Sequence, residues 1–235
     1  MRSMTLAVGI GAALLLRLSP GVLAEERVRA LPMGIRPVLH LSFDGGKEQL
    51  PVSTKVVGAT FVEEGKVNGA YSFNGKDNYI LLEGPEGLPE KRAPRSISVW
   101  FKLRTYDRRA VIGGYGTPRT GENFQIESGA GRQFWIMGWG KRRDWGTGIK
   151  NKRYFDDQWH HIVLSYDSKR TKVYVDGIMK ASTAKFHWDT KPTRIVLGEE
   201  IDLAGRAFDG LLDEFMIFDS ALSVREVRSL HDWAK

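Results

Sequence analysis

The chain has 235 residues, a formal net charge of +7 at pH 7, 42% hydrophobic residues and no cysteine. This excludes a disulfide-stapled scaffold, a cysteine-ligated metal and a cysteine nucleophile, and the length suits one domain with a real core better than two small ones. The positive balance favours anionic partners, though weakly.

The opening MRSMTLAVGIGAALLLRLSPGVLA carries a cation at Arg2, an apolar run from Leu6 to Leu16 and the small-residue ending Val22-Leu23-Ala24. It reads as a secretory signal peptide, residues 1–24, cleaved after Ala24. A membrane anchor is disfavoured because the run ends at Arg17, whereas a span needs about 20 apolar residues. No later stretch is apolar enough, so no membrane span is expected. Removing the segment takes away Arg2 and Arg17 and no acid, leaving a charge of +5. The expected location is secreted, periplasmic or cell-surface, where acidic glycans are nearer to hand than nucleic acid.

Residues 25–36, EERVRALPMGIR, are polar and aperiodic and read as a short N-terminal arm ahead of a domain at 37–235. From Val38 onward, short β-rich runs alternate with Gly, Asp, Asn and Pro turns, as in a sandwich or barrel. Strands are expected at 38–43, 57–62, 70–73 and 79–82. In SISVWFKL, Ile97, Val99, Phe101 and Leu103 face one way and Ser96, Ser98, Trp100 and Lys102 the other, so one face is core. Further strands are expected at 111–115, 124–127, 134–137, 160–166, 194–197 and 211–218. In KVYVDGIMKAS the Asp176-Gly177 pair signals a two-residue hairpin. Only the tail reads as helical: Ser223 and Glu226 form a capping box, and Val224, Val227, Leu230 and Trp233 share a face.

Four stretches then fall into a familiar order: NGAYSFNGKDNYILL, SISVWFKL, WHHIVLSYDSKRTKVYVDG and FDGLLDEFMIFDSALSVREV. Together they resemble the laminin G-like, concanavalin A-like lectin/glucanase jelly roll, the superfamily that also contains the pentraxins, over residues 38–233. The resemblance implies an all-β fold, an antiparallel two-sheet jelly-roll sandwich with a short C-terminal helix. That scaffold hosts lectins, adhesion modules and glycosidases alike, so activity has to be argued from residues. Asp213 and Glu214, adjacent in the last strand, are expected on opposite faces.

Asp77-Asn78 in NGKDNYI and Glu200-Ile201-Asp202 in LGEEIDLAG are similar to the two segments with which pentraxins bind calcium. Calcium takes six to eight oxygens, and the side chains of Asp77, Asn78, Glu200 and Asp202 with the Ile201 carbonyl supply about that many. LAGRAF then offers no carboxylate before Asp209, so a second pentraxin-like calcium is not expected. Asp44 beside Asp213 is a weaker candidate position. Asp and Asn in Gly-rich flanks equally serve as plain turn residues.

EEIDLAG also resembles the E-x-D-x-E catalytic strand of concanavalin A-like glucanases. Glu200 and Asp202 fill its first two places, but Ala204 stands where the general acid/base is needed. His160 and His161 are adjacent in a strand and point to opposite faces, so they cannot share a metal. RQFWIMGWGKRRDWGTG spreads Trp139 and Trp145 around Lys141, Arg142 and Arg143. Stacking aromatics beside cations suit an acidic sugar, while the same letters suit a buried strand and its solvated turn. The expected function is a secreted, non-catalytic module binding a polysaccharide or glycoconjugate, acidic glycans favoured, with calcium as candidate cofactor. The alternatives are a glycoside hydrolase or lyase of the same fold, or an adhesion module with a protein partner.

Overall fold

A computed structural model describes residues 30–140 and 142–235; the expected signal segment and Lys141 lie outside the described residues. In chain order the strands are β1 (Leu39–Leu41), β2 (Thr54–Val57), β3 (Thr60–Val62), β4 (Ala70–Asn74), β5 (Tyr79–Glu83), β6 (Arg95–Leu103), β7 (Ala110–Gly116) and β8 (Asn123–Ser128). They continue with β9 (Gln133–Met137), β10 (Trp145–Lys150), β11 (His160–Tyr166), β12 (Thr171–Val175), β13 (Ile178–Thr183), β14 (Arg194–Leu197) and β15 (Asp209–Phe218), and end in a helix, α1 (Val224–Trp233). Among the described residues these form two antiparallel sheets. An eight-stranded sheet runs β13-β12-β11-β6-β15-β4-β3 with β1 also on β15, and a seven-stranded sheet runs β10-β9-β8-β7-β14-β5-β2. This is the expected jelly-roll sandwich.

Alternation explains the core. Ile97, Val99, Phe101 and Leu103 of β6 meet Ile112, Tyr115, Phe124, Ile126, Phe134 and Ile136 of the facing sheet, all buried. Each such side chain contributes about 1.5–3 kcal/mol by leaving water. The other face of β6 is not wet: Ser96, Ser98 and Trp100 are also buried. Helix α1 is the cover. Its Val227 and Leu230 pack with Val163, Tyr174, Met216 and Phe218, and Trp233 and Ala234 reach Trp100. The capping box forms as expected, the Ser223 hydroxyl accepting the Glu226 N–H at 3.3 Å and the Glu226 carboxylate accepting the Ser223 N–H at 2.7 Å.

Three expectations change. The arm is docked from residue 31 on, because Leu31 and Ile35 join the cluster beneath α1. The run expected at 57–62 divides: β2 pairs with β5 in one sheet and β3 with β4 in the other, so the chain crosses between sheets there. Asp213 and Glu214 share a face rather than opposing. Asp213 is opposite Trp100 and Met216 opposite Ser98, which leaves one extra residue, and Glu214 takes it with φ +52°. Such a bulge breaks the alternation. Glu214 then meets His40 at 2.5 Å, and Asp213 accepts the Lys66 and Val67 N–H groups at 2.8 and 2.9 Å.

Candidate functional site: a cleft over the seven-stranded sheet

Asn123, Gln125 and Glu127 alternate with core residues along β8, a pattern that reads as a solvent-facing side, yet all three are fully buried. The segment after β14 covers them. Gln125 accepts the Ile201 N–H at 3.1 Å and donates to the Glu199 carbonyl at 3.4 Å. Glu199 accepts the N–H groups of Glu200 and Arg206 at 2.7 and 2.6 Å, which ties the two ends of the loop together. Ile201 is buried against Leu81 and Val196. The loop is thus pinned by polar groups of the sheet and by one apolar anchor.

Beneath it lies a charge network. Glu127, with no exposed surface, is held by Arg109 through bonds of 2.8 and 2.7 Å and by Arg206 at 3.3 Å. Arg206 also pairs with Glu200. Burial pushes the Glu200 carboxyl up to about 7, with the Arg206 charge opposing and Asp202 adding to the rise. Glu127→Gln keeps the shape and removes the charge. Breaking a buried pair costs about 3–5 kcal/mol, but the Arg109 and Arg206 side chains are 43% and 27% exposed, so water recovers part of that. The expected loss is about 2 kcal/mol in urea unfolding; a loss under about 0.5 kcal/mol would show that the network contributes little.

Above the network opens a cavity of about 480 Å³ lined by Met137, Trp139, Asp144, Glu200, Asp202 and Arg206. Trp139 is half-buried, packed with Ile201 and Leu203. Its backbone sits at φ +69°, and Asp144 accepts the N–H groups of Gly138 and Trp139 at 3.0 and 3.1 Å, which holds that conformation. Burial raises the Asp144 carboxyl, and those two bonds oppose the rise. The cleft therefore offers one rigid indole, three carboxyl groups and one guanidinium. Such a set suits a ring with an apolar face and several hydroxyls.

The fold joins residues expected at two different sites, since Trp139, Glu200 and Asp202 line one cavity. It separates others. Trp145 begins β10 opposite Ile136 and packs against the main core, so it does not share the cleft with Trp139. Arg142 and Arg143 are exposed on the turn between β9 and β10, where the Arg143 N–H bonds the Gly140 carbonyl at 3.1 Å. Asp77 and Asn78 close a tight turn: Asp77 accepts from the Asn74 side chain and Asn78 accepts the Asn74 N–H, each at 2.9 Å. The register of β5 against β14 sets that turn beside Gly198.

As potential calcium ligands, all five residues are already engaged. The Ile201 carbonyl accepts from Arg194 at 3.4 Å, Asp202 accepts the Ala204 N–H at 3.2 Å and Glu200 holds Arg206. Among the described residues no group of three or more His, Asp or Glu side chains is arranged to hold a metal ion. Glu200 and Asp202 lie on a turn rather than on a strand, so the alternate-position geometry of the glucanase motif does not apply. Asp144, Arg206, Glu127 and Arg109 had no local motif to reveal them; the one signal was an unbroken polar alternation, Asn123, Gln125, Glu127, in an otherwise apolar strand.

No helix among the described residues is long and apolar enough to cross a membrane. The chain is 27% identical over 180 residues to adhesion G-protein coupled receptor D1 of Homo sapiens, covering 71% of this chain and 20% of the receptor. It therefore spans a fifth of that relative's length. Among solved structures it is similar to domain 4 of AbnA, an extracellular arabinanase from Geobacillus stearothermophilus, in complex with arabinotriose: TM-score 0.61, 22% identity, 85% of this chain and 98% of that one. It is also similar to the botulinum neurotoxin serotype D ligand binding domain in complex with N-acetylneuraminic acid: TM-score 0.65, 13% identity, 83% of this chain and 50% of that one. These structural neighbours are mainly binding domains, and they share the fold. The family model Laminin_G_3 matches residues 74–228, two thirds of the chain, and with the two-sheet jelly roll this places the protein in the concanavalin A-like lectin/glucanases superfamily.

Proposed function

We propose that the chain is an extracellular, non-catalytic carbohydrate-binding module whose cleft over the seven-stranded sheet takes a glycan of low charge. One observation carries this reading: Trp139 is held half-buried at the cleft wall beside Asp144, Glu200, Asp202 and Arg206. The indole offers a face for the apolar side of a sugar ring, and the carboxylates accept from hydroxyls while Arg206 donates. With three carboxyl groups against one guanidinium the cleft repels anions, so acidic glycans, favoured from the loop cations, do not belong here. The binding domains cited above include one with arabinotriose and one with N-acetylneuraminic acid, which supports a glycan as the ligand class. The reading itself invokes no cation, and titration in calcium and in chelator decides whether calcium takes part.

The test is calorimetric titration with a panel of neutral oligosaccharides, in calcium and in chelator. Trp139→Ala should weaken the best ligand about tenfold or more, since ring stacking contributes about 1–3 kcal/mol, and Asp202→Ala should weaken it similarly. Asp202→Ala should melt close to the wild type, and Trp139→Ala, which gives up packing on Ile201 and Leu203, is compared at a temperature where both proteins are folded. If nothing in the panel binds, or Trp139→Ala binds as well as the wild type, the cleft is not a glycan site. New reducing or unsaturated ends in the same incubations would make the chain an enzyme.

A further inference from the structure

On one side of the sandwich β10, an edge of the seven-stranded sheet, runs beside β13, an edge of the eight-stranded sheet. Two hollows open there. One, of about 330 Å³, is lined by Thr147, Ile149, Lys150, Arg153 and Lys180; the other, of about 530 Å³, by Arg132, Lys150, Lys152 and Arg153. Lys150 and Arg153 line both, so the two hollows adjoin at these side chains.

Local structure puts the cations together. Lys150 is opposite Gln133, the neighbour of Arg132. In the turn Asn151–Tyr154, Asn151 and Tyr154 are buried, and Asn151 is anchored to the Tyr106 carbonyl at 2.8 Å and the Ser128 hydroxyl at 3.0 Å. Lys152 and Arg153 are left exposed between them. Lys180 arrives from β13. None of the five cations has a carboxylate partner among the described residues. The nearest acids along the chain are taken elsewhere: Asp156 by His160 at 3.0 Å and Asp157 by Lys102 at 2.8 Å. Beside the cations Phe155 is 43% exposed, its ring 5.0 Å from that of Tyr106, over which the Lys152 ammonium lies at 6.0 Å.

We infer that this basic edge is a second binding site, distinct from the cleft, for a linear anionic polysaccharide bearing carboxylate or sulfate groups. Five cations without a carboxylate partner, spread over two adjoining hollows, fit successive charges on one polymer better than a single ion. The Phe155–Tyr106 pair gives one apolar platform for a sugar ring. A single strand of bases stacks on a succession of aromatic rings, which this edge lacks. The choice of a polysaccharide rests on the reading of the chain as a glycan-binding module; the site itself does not.

The experiment measures affinity of the full chain for polygalacturonate, dextran sulfate, uncharged dextran and a single-stranded oligonucleotide across a range of salt. The wild type should bind both anionic polysaccharides at about 0.15 M salt, where screening acts over about 8 Å. The double variant Lys150→Ser/Arg153→Ser should weaken both about tenfold or more and flatten the salt dependence, because exposed cations act by screened attraction. Lys180→Ser, on the other sheet, should weaken them in the same direction, and Trp139→Ala should leave both unchanged. That last comparison separates failure of this site from failure of the cleft. The inference is overturned if neither polyanion binds, if the double variant binds as the wild type does, or if the oligonucleotide binds more tightly than both polysaccharides and loses affinity in the same variants.

Discussion

Gly198→Ala should be the most damaging conservative change around the cleft, lowering stability by about 3 kcal/mol, from a left-handed backbone costing an L-residue about 1–2 kcal/mol and an overpacked core costing a comparable amount. Gly198 follows β14 directly and starts the loop that carries Glu200 and Asp202. Its φ is +81°, and an added methyl would stand 2.3 Å from the Phe73 ring and 3.2 Å from the Asn78 carbonyl. Phe73 has no room to retreat, being fully buried and edge-on to Phe208 at 6.1 Å. The backbone here also joins the loop's two ends, as the Gly198 N–H bonds the Ile112 carbonyl at 3.0 Å and its carbonyl accepts the Phe208 N–H at 2.8 Å. The variant should therefore lose cleft affinity as well as stability. Gly205→Ala is the control: φ is +94° but the space beside it is open, so only the backbone cost of about 1 kcal/mol should appear. Equal urea midpoints for Gly198→Ala and Gly205→Ala would mean that the contact with Phe73 relaxes freely.

What the sequence disclosed was local in origin. Period-two alternation in SISVWFKL, the Asp176-Gly177 turn with φ of 51° and 73°, and the Ser223–Glu226 box all act within a few residues, and all three form as expected. What stayed hidden depends on coverage by distant segments. Ser96, Ser98 and Trp100 read as a wet face because nothing nearby says that α1 folds over them. Asn123, Gln125 and Glu127 read as solvent-facing because the loop that buries them comes some seventy residues later. WGTGIK falls outside the expected strands, yet pairing with β9 makes it the edge strand β10. The same logic governs the site. Trp139 and Glu200 each stand out locally, but only the order of strands across the sheet reveals that they line one cavity, and that order is not written in any short motif.

His161 should make the protein sensitive to acid in a way that one substitution reverses. The ring is fully buried on β11, stacked 5.0 Å from Trp100 and 6.1 Å from His231, with Nε2 on the Ser98 hydroxyl at 2.7 Å and Nδ1 without a partner. Burial, with a smaller push from His231 and an opposing pull from Asp176, drops its pKa to about 3. The unfolded chain takes up this proton below about pH 6.5 while the folded chain refuses it, so the His161 contribution is intact above that pH and is lost as pH falls toward 3. Other groups run the opposite way. Asp213, raised to about 8, and Glu200, raised to about 7, bind protons more tightly when folded, so they add stability as pH falls toward 4. The wild-type slope therefore mixes both signs, and the informative quantity is its difference from His161→Gln, which can still bond Ser98 but cannot charge. At pH 7 the variant should be less stable by about 1–2 kcal/mol through loss of the ring stack. That deficit should shrink by about 1.4 kcal/mol for each pH unit below 6.5, so that near pH 4.5 the variant is the more stable protein. Urea unfolding of both proteins between pH 7 and 4.5 reads this directly, and a difference that stays constant across the range would show that His161 takes up its proton without unfolding the sheet.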